Sequence, residues 1–202
     1  ISVPTGEGFA YKIDMGLRPS GRSGALVTSY DAFRKYHEES AQVWERQALL
    51  RAKPSAGDVK LGKRVSGSIE EFVYGKPVPP GFHKEIKHLR ARMETELARE
   101  SKQKLNIKTG RGGIVDLEFL VQMLQLRHGG EHREVRGQNT LDALGGLRDA
   151  GIIKEKEYAS LSDGLYFLKK MENLLRLLHD RSINELYESD FDKLSAELGM
   201  GP

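Results

Sequence analysis

Asp14, a single carboxylate near the start of the chain, stands where a catalytic or metal-binding acid could act. Residues 9–14 alternate between apolar and polar side chains, which predicts a half-buried strand that carries Asp14 on its open face. There the carboxylate could bind a metal ion, and Arg18 follows closely enough to hold a phosphate oxygen. An ordinary aspartate that hydrogen-bonds the following turn is the simpler interpretation of these residues alone, because no D-x-D pair stands beside it.

A glycine-rich turn precedes a helical pattern at residues 108–116. Its three glycines free the backbone to point N–H groups at an anion, and Lys108 and Arg111 add positive charge at the start of the helix. The turn has neither the G-K-[ST] ending of a Walker A loop nor a G-x-G-x-x-G pattern. It could equally be a tight turn in which glycine supplies a positive φ. The glycines concerned are Gly110, Gly112 and Gly113.

Two acids, Asp116 and Glu118, lie in the apolar helix that follows this turn. They need partners, because moving an unpaired charge into an apolar bundle is costly. Helical periodicity places them on nearly opposite faces, so we do not expect a catalytic pair. Each is instead expected to meet a partner of its own, such as an arginine on a neighbouring helix.

A third stretch with possible chemistry is residues 43–53. Trp44 is expected to anchor its helix in the core. The basic side chains around it could flank an anionic ligand, although basic residues on a helix are usually solvated. The charged residues concerned are Glu45, Arg46, Arg51 and Lys53.

Composition limits the classes of protein that the chain can be. It has 202 residues, of which 38% are hydrophobic and 30% charged, which is typical of a globular, helix-prone protein. The net charge of +3 is too small, and its basic residues too interspersed with acids, to indicate a nucleic-acid partner. There are no cysteines, so a disulfide framework and a thiolate zinc site are excluded and a reducing compartment is permitted. No apolar run approaches the roughly 18 residues that a membrane span needs.

The six histidines show no metal-ligand spacing. The chain also lacks a G-x-S-x-G motif and any Cys–His arrangement, so nucleophilic catalysis has no support.

The elements that must position these residues are mostly helices. After a possible second short strand at residues 25–27, the pattern predicts a helix from about Ser29 to Ala52 and another at 83–100. Between them, residues 55–81 are rich in Gly, Ser and Pro and predict an irregular connection with one short helix at 69–72.

Further helices are expected after the glycine-rich turn and at residues 140–150, 154–180 and 190–198. Asn139 is a suitable N-cap for the helix at residues 140–150, and Gly151 is well placed to end that helix. Short loops between long amphipathic helices favour an antiparallel bundle.

Taken together, these motifs resemble one family, the glutamate–ammonia-ligase adenylyltransferases, which add AMP to glutamine synthetase and remove it. The first and fourth of its five segments are specific, and the resemblance covers nearly the whole chain in order. The segments are GEGFAYKIDMGLRPSG (6–21), SGALVTS (23–29), Tyr36 with WERQALLRAK (44–53), NIKTGRGGIVDLEFLVQ (106–122) and LKKMENLLRLLHDRSINEL (168–186).

The resemblance implies a mainly α (α+β) fold class. It consists of the C-terminal remnant of a nucleotidyltransferase sheet of the DNA polymerase β type, followed by an antiparallel helical bundle. Residues 1–55 would be the C-terminal part of the nucleotidyltransferase domain, residues 56–81 an irregular connection and residues 82–202 the helical bundle domain. The D-x-D strand, with two further acids, would precede residue 1, so the chain is expected to be a fragment.

The chemistry implied by the resemblance is two-metal nucleotidyl transfer, in which a tyrosine hydroxyl attacks the α-phosphorus of ATP and pyrophosphate leaves. Three acids would hold two Mg²⁺ ions, and Asp14 would be the third of them, binding the metal that activates the nucleophile and helping to withdraw the hydroxyl proton. ATP is expected as substrate, without tight binding to the fragment. Candidates for phosphate or nucleotide contact are Arg18, Ser20, Gly21, Gly24, Lys108, Gly110, Arg111, Gly112 and Gly113. Residues expected to be structural or to shape the cleft are Trp44, Glu45, Arg51, Asp116 and Glu118.

The partners implied are glutamine synthetase and, in the full-length enzyme, a PII-type signal protein, in a cytoplasmic enzyme that regulates nitrogen assimilation. Neither a nucleic acid nor a membrane is expected. The motifs lean toward the C-terminal, adenylylating half of the enzyme, and the fragment alone is expected to be inactive. One departure is Gly16, where the family usually has arginine, and it removes one cation from the cleft.

Two alternatives remain at this point. The chain could be a non-catalytic helical module that docks glutamine synthetase or a PII-type signalling protein. It could also be a nucleic-acid-binding helical domain, which the mild net charge and the absence of a basic stripe disfavour.

Overall fold

A computed structural model of the chain describes residues 14–199. These residues form eight α-helices and a small two-stranded antiparallel sheet, so the predicted mainly α class is confirmed. The chain divides into two compact units, one up to Gly75 and one from Lys76 onward. The strand predicted at residues 9–14 lies outside the described residues except for Asp14.

The first unit contains three helices, α1 (Tyr30–Glu39), α2 (Val43–Leu49) and α3 (Val59–Tyr74). Ser29 is the predicted N-cap of α1, and its hydroxyl accepts the N–H of Ala32 at 3.2 Å.

The prediction of a single helix from Ser29 to Ala52 is wrong, because α1 ends at Glu39 and a separate helix, α2, begins at Val43. Gln42 takes an extended conformation, and its backbone N–H donates to the Glu45 carboxylate at 2.8 Å. A glutamate three residues after the cap thereby gives α2 an N-terminus of its own.

The prediction of an irregular connection at residues 55–81 is also wrong in part. Residues Val59–Tyr74 form one long helix, α3, where only a short helix at 69–72 was expected. Asp58 caps this helix by accepting the Leu61 N–H at 2.7 Å. Contacts with α1 offset the propensity cost of the glycines, which is about 1 kcal/mol each. The Tyr30 hydroxyl bonds that of Ser68 at 2.8 Å, and the His37 and Phe72 rings lie 5.1 Å apart.

The short strand predicted at residues 25–27 is a bend in the structure. Leu26 and Val27 are exposed there, and among the described residues no strand pairs with them. A strand needs such a partner, because an unpaired one gains no ladder hydrogen bonds.

The second unit holds the other five helices and both strands. Its helices fall close to the predicted positions: Asn139 accepts the Leu141 N–H at 2.9 Å, and Gly151 follows α6 with φ +70°. A π-helical segment, Glu94–Ala98, continues α4. The elements are α4 (Phe82–Met93), β1 (Lys104–Asn106), α5 (Ile114–His128), α6 (Thr140–Asp149), α7 (Glu155–His179), β2 (Glu185–Tyr187) and α8 (Phe191–Leu198).

The sheet joins distant parts of this unit, and the sequence did not predict it. β1 and β2 pair antiparallel with Leu105 opposite Leu186, and Ile107 extends the pairing by donating its N–H to the Asn184 carbonyl at 3.0 Å. Strands of three residues are too short to show an alternating pattern. The pairing fixes the chain just before the glycine-rich turn.

Two clusters of buried side chains form the core of the second unit. The first joins Ile107, which follows β1, to α7 and the C-terminal segment. The second joins α5, the connection after it, α6 and Ile153. Gln125 of α5 supports the second cluster by donating to the carbonyls of Val135 and Gly137, both at 2.7 Å. The first cluster consists of Ile107, Met171, Leu175, Ile183, Leu186 and Leu194, and the second of Val121, Val135, Ala143, Leu144, Leu147 and Ile153.

None of the helices within residues 14–199 combines the length and the apolar character that a membrane crossing requires.

We expect Leu144→Ala to lower the free energy of unfolding by about 2–5 kcal/mol, because it removes a fully buried side chain and leaves a cavity. Leu141→Ala on the same helix is the matched control, since Leu141 is 41% exposed, and its cost should stay within about 0.5–1 kcal/mol. Urea unfolding followed by circular dichroism measures both. Equal losses would contradict the position of α6.

Candidate functional site

Asp14 is exposed, and its carboxylate is oriented by the turn that follows. Oδ1 accepts the backbone N–H of Gly16 at 2.9 Å, which is the geometry of an aspartate that closes its own turn. A Cβ at position 16 would lie only 3.1 Å from that oxygen, so glycine gives the carboxylate room. This hydrogen bond uses one of about four lone-pair positions on the carboxylate, and it leaves the group able to bind a metal ion as well.

Arg18 holds together the loop that follows Asp14. Its guanidinium donates to the carbonyls of Met15 at 2.8 Å, Gly24 at 3.1 Å and Arg22 at 3.2 Å. These three bonds use three of its five N–H donors. A phosphate contact by Arg18 would therefore depend on the other two.

The other phosphate-binding candidates in this loop are Ser20, Gly21 and Gly24, and the backbone conformation of the loop accounts for them. Ser20 and Gly21 both have positive φ, +60° and +55°. At Gly24 a Cβ would approach the Pro19 carbonyl oxygen to 2.0 Å, which no side chain could tolerate. The loop thus requires glycine for its shape.

The helix α2 buries charged and polar side chains instead of its tryptophan. The prediction that Trp44 anchors the core is wrong, because Trp44 is 38% exposed and its indole N–H donates to the Gln42 side chain at 3.1 Å. Arg46 is buried, where we expected a solvated or ligand-flanking cation. The break before α2 explains why Trp44 and Arg46 were both predicted wrongly. Because α2 is a separate helix, the face that it turns toward the core does not continue the apolar stripe of α1.

The two buried charged side chains of α2, Glu45 and Arg46, both form hydrogen bonds. Glu45 accepts the Tyr36 hydroxyl at 2.6 Å, and this bond raises the pKa of Tyr36 by stabilising its protonated form. Arg46 donates from Nε to the Val73 carbonyl at 2.8 Å, and burial lowers the pKa of its guanidinium. Arg51, the other basic candidate of this stretch, is exposed.

The glycine-rich turn in the second unit directs its backbone N–H groups inward. Gly110 donates to the Asn106 carbonyl at 2.9 Å and Gly113 to that of Gly110 at 3.1 Å, while Gly112 donates to an oxygen of Asp116 at 2.6 Å. The first N–H groups of α5 behave likewise, because Ile114 donates to Ile107 at 3.0 Å. This differs from the arrangement expected for anion binding, in which such groups point at the ligand.

At each glycine of this turn, either the backbone conformation or the lack of space for a Cβ explains why the residue is glycine. Gly112 has φ +73°, and a Cβ at Gly110 would lie 2.2 Å from the Glu100 carboxylate and 2.4 Å from the Asn106 carbonyl oxygen. The turn itself carries two positively charged side chains, the half-buried Lys108 and the exposed Arg111.

Arg90 of α4, which was not among our candidates, connects this turn with both neighbouring helices. Its buried guanidinium donates to the Gly110 carbonyl at 2.8 Å and lies 2.6 Å from the Asp116 carboxylate. The partner expected for Asp116 is thus an arginine on a neighbouring helix. One signal pointed to it: Arg90 follows Ile86 by four residues and so falls on the apolar stripe of α4.

Glu118, the second acid of α5, is half-buried. Within residues 14–199 no three His, Cys, Asp or Glu side chains converge into a group that could hold a metal ion.

We expect Arg90→Met to lower the free energy of unfolding by about 2–4 kcal/mol, because the Gly110 carbonyl loses a buried donor and the Asp116 carboxylate loses its ion-pair partner. Arg92→Met is the matched control: Arg92 of α4 pairs at 3.1 Å with Glu96 of the π-helical segment, both side chains being exposed, and such pairs contribute about 0–1 kcal/mol. Urea unfolding measures the difference. Hydrogen exchange should also quicken selectively at the turn, and unchanged exchange there would contradict the role of Arg90.

Comparison with known proteins finds a family model for each unit and relatives that cover nearly the whole chain. The family model described as glutamate-ammonia ligase adenylyltransferase matches residues 1–68, and the model described as PII-uridylyltransferase matches residues 85–202. Bifunctional glutamine synthetase adenylyltransferase/adenylyl-removing enzymes are similar along nearly the whole chain. That of Hahella chejuensis is 34% identical over 98% of the chain, and that of Streptomyces coelicolor is 39% identical over 91%. The chain spans about a fifth of these relatives, 20% and 18% of their lengths.

The two family models cover the segments on which the resemblance rests, from the Asp14 motif to the C-terminal helices. The chain belongs to the glutamate–ammonia-ligase adenylyltransferase family.

Proposed function

We propose that this chain is part of an enzyme that transfers AMP from ATP to a tyrosine of glutamine synthetase, removes it by phosphorolysis, or does both. The exposed Asp14 carboxylate carries the proposal, because it lies in the segment that the adenylyltransferase model matches. The names of the relatives support the same chemistry. Because the chain spans about a fifth of those relatives, the activity proposed is that of the longer protein.

Asp14 suits a Mg²⁺ ion as one ligand among several. Mg²⁺ prefers oxygen ligands, and it is usually held by one or two carboxylates together with waters and substrate phosphates. The carboxylate is exposed and its Oδ1 is held by the Gly16 N–H, so we assign Oδ2 as the oxygen that binds the ion. The two further acids of a two-metal site would come from elsewhere in the full-length protein, so we expect the 202 residues alone to be inactive.

In the proposed reaction, bound Mg²⁺ would neutralise charge that develops on the transferred phosphoryl group. Asp14 would in addition help to withdraw the proton of the attacking tyrosine hydroxyl. The hydrogen bond from Gly16 prepares this role, since it fixes the direction of the carboxylate before substrate arrives. No strong general base beyond a correctly placed carboxylate is needed, because phosphoryl transfer depends mainly on positioning and charge.

Phosphate contacts are assigned to side chains and not to the glycines. Arg18 offers the donors that its loop does not use, and Ser20 lies exposed at the turn of that loop. In the second unit, Lys108 and Arg111 lie on a turn that Arg90 fixes in place. We assign Trp44, Glu45, Arg51, Asp116 and Glu118 to shaping the structure around the reaction and not to the chemistry itself.

We further propose that the chain derives from the adenylylating half of a cytoplasmic enzyme, with glutamine synthetase as protein substrate and a PII-type protein as regulator. The sequence of the Asp14 motif supports the assignment to the adenylylating half. The match to the PII-uridylyltransferase model supports the link to nitrogen regulation.

In the full-length protein we expect Asp14→Asn to lower the rate of AMP transfer to glutamine synthetase by about 100-fold or more, because it removes a metal ligand and a proton acceptor. Asp31→Asn is the matched control: Asp31 is an exposed acid in the first turn of α1 and should leave the rate unchanged. Transfer of radioactive AMP from labelled ATP measures both. An Asp14→Asn enzyme with full activity would favour the non-catalytic docking module instead.

A further inference from the structure

A groove of about 500 Å³ runs between α4 and α5 in the second unit. Its floor is apolar, formed from one face of each helix. On α5 this face is only partly covered, since Leu120 is 37% exposed and its neighbours are half-buried. The floor residues are Phe82, Ile86, Phe119, Leu120 and Met123.

The charges along the groove are mainly positive. Lys87 on α4 and Arg127 on α5 are both exposed at its rim. The acid in its lining, Asp116, is already paired with Arg90 and accepts the Gly112 N–H. An occupant therefore meets an apolar floor between Lys87 and Arg127, for which no ion pair occurs within residues 14–199, and a negatively charged occupant would match them.

The dimensions of the groove suit a short helix. Phe82 and Ile86 are one turn apart on α4, as are Phe119 and Met123 on α5, so each helix offers a row of apolar contacts to the floor. From Asp116 to Arg127 the groove follows α5 for about 16 Å, which corresponds to roughly 11 residues of an incoming helix. A helix with apolar residues three or four positions apart would contact both rows.

We propose that this groove binds an acidic amphipathic helix of glutamine synthetase. The proposal rests on the proposed function, which makes glutamine synthetase the protein substrate. Apolar residues of that helix would contact the floor, and its carboxylates would pair with Lys87 and Arg127. Two cations beside an apolar floor suit an amphipathic protein helix better than a nucleic-acid backbone, which is held by many phosphate contacts.

The test compares charge reversals in the full-length protein. Lys87→Glu combined with Arg127→Glu reverses both rim charges, and Lys156→Glu combined with Lys193→Glu makes the same change at exposed lysines outside the groove lining. We expect the first pair to raise the KM for glutamine synthetase roughly tenfold and to weaken its dependence on salt. The KM for ATP and the kcat should stay as in the control pair.

Leu120→Glu tests the apolar floor independently, and because Leu120 is already partly exposed the variant should fold. It too should raise the KM for glutamine synthetase without changing that for ATP. A photoreactive residue at position 120 should cross-link to an acidic helix of glutamine synthetase, which mass spectrometry of the joined peptides identifies.

Each outcome decides the proposal. The docking groove is overturned if the first pair has the same KM for glutamine synthetase as the control pair, or if position 120 cross-links only to another segment of the same polypeptide. In either case, AMP transfer by the wild-type enzyme would still support the proposed function. If the variant with the photoreactive residue at position 120 cross-links to glutamine synthetase while the wild-type enzyme transfers no AMP, the proposed function is overturned and the groove is supported.

Discussion

The buried guanidinium of Arg90 is the interaction on which the arrangement of the second unit depends. An arginine cannot lose its charge in a protein, so its burial in α4 requires acceptors close at hand. The Gly110 carbonyl and the Asp116 carboxylate provide them. By their contacts with Arg90, they attach the glycine-rich turn and the first turn of α5 to α4. Arg90 also lies in the lining of the groove between the two helices.

The same use of arginine recurs in the first unit. Arg18 donates to three loop carbonyls, and Arg46 donates to the carbonyl of Val73. In each case a planar cation satisfies backbone oxygens that have no partner in regular structure. In a family that handles phosphates, basic residues are easily interpreted as ligand contacts, but several of these first hold the chain in shape. A contact with phosphate is then made by whichever donors remain, at positions that the loop has already fixed.

The helices of the second unit could be predicted from the sequence because their apolar periodicity and their end signals agree. Asn139 and Gly151 mark both ends of α6 in this way. Predictions failed where distant residues decide the outcome. Glycines in α3 favour an irregular chain, but contacts with α1 outweigh them. The break before α2 changes which side chains are buried, so Trp44 and Arg46 exchange the positions that periodicity gave them. For the candidate site, the sequence predicted a partner for Asp116 but could not identify Arg90, which depends on how α4 and α5 pack.

The pairing of β1 with β2 also orders events during synthesis. Lys104 pairs with Tyr187, so the segment before the glycine-rich turn gains its strand partner only after about 80 further residues have been translated. At the usual 5–20 residues per second, that delay is on the order of 4–16 s. Until then the apolar side of Ile107 lacks its neighbours Ile183 and Leu186. A nascent chain at this stage would expose the apolar Ile107 beside an unpaired strand edge, which is a surface that a chaperone could cover.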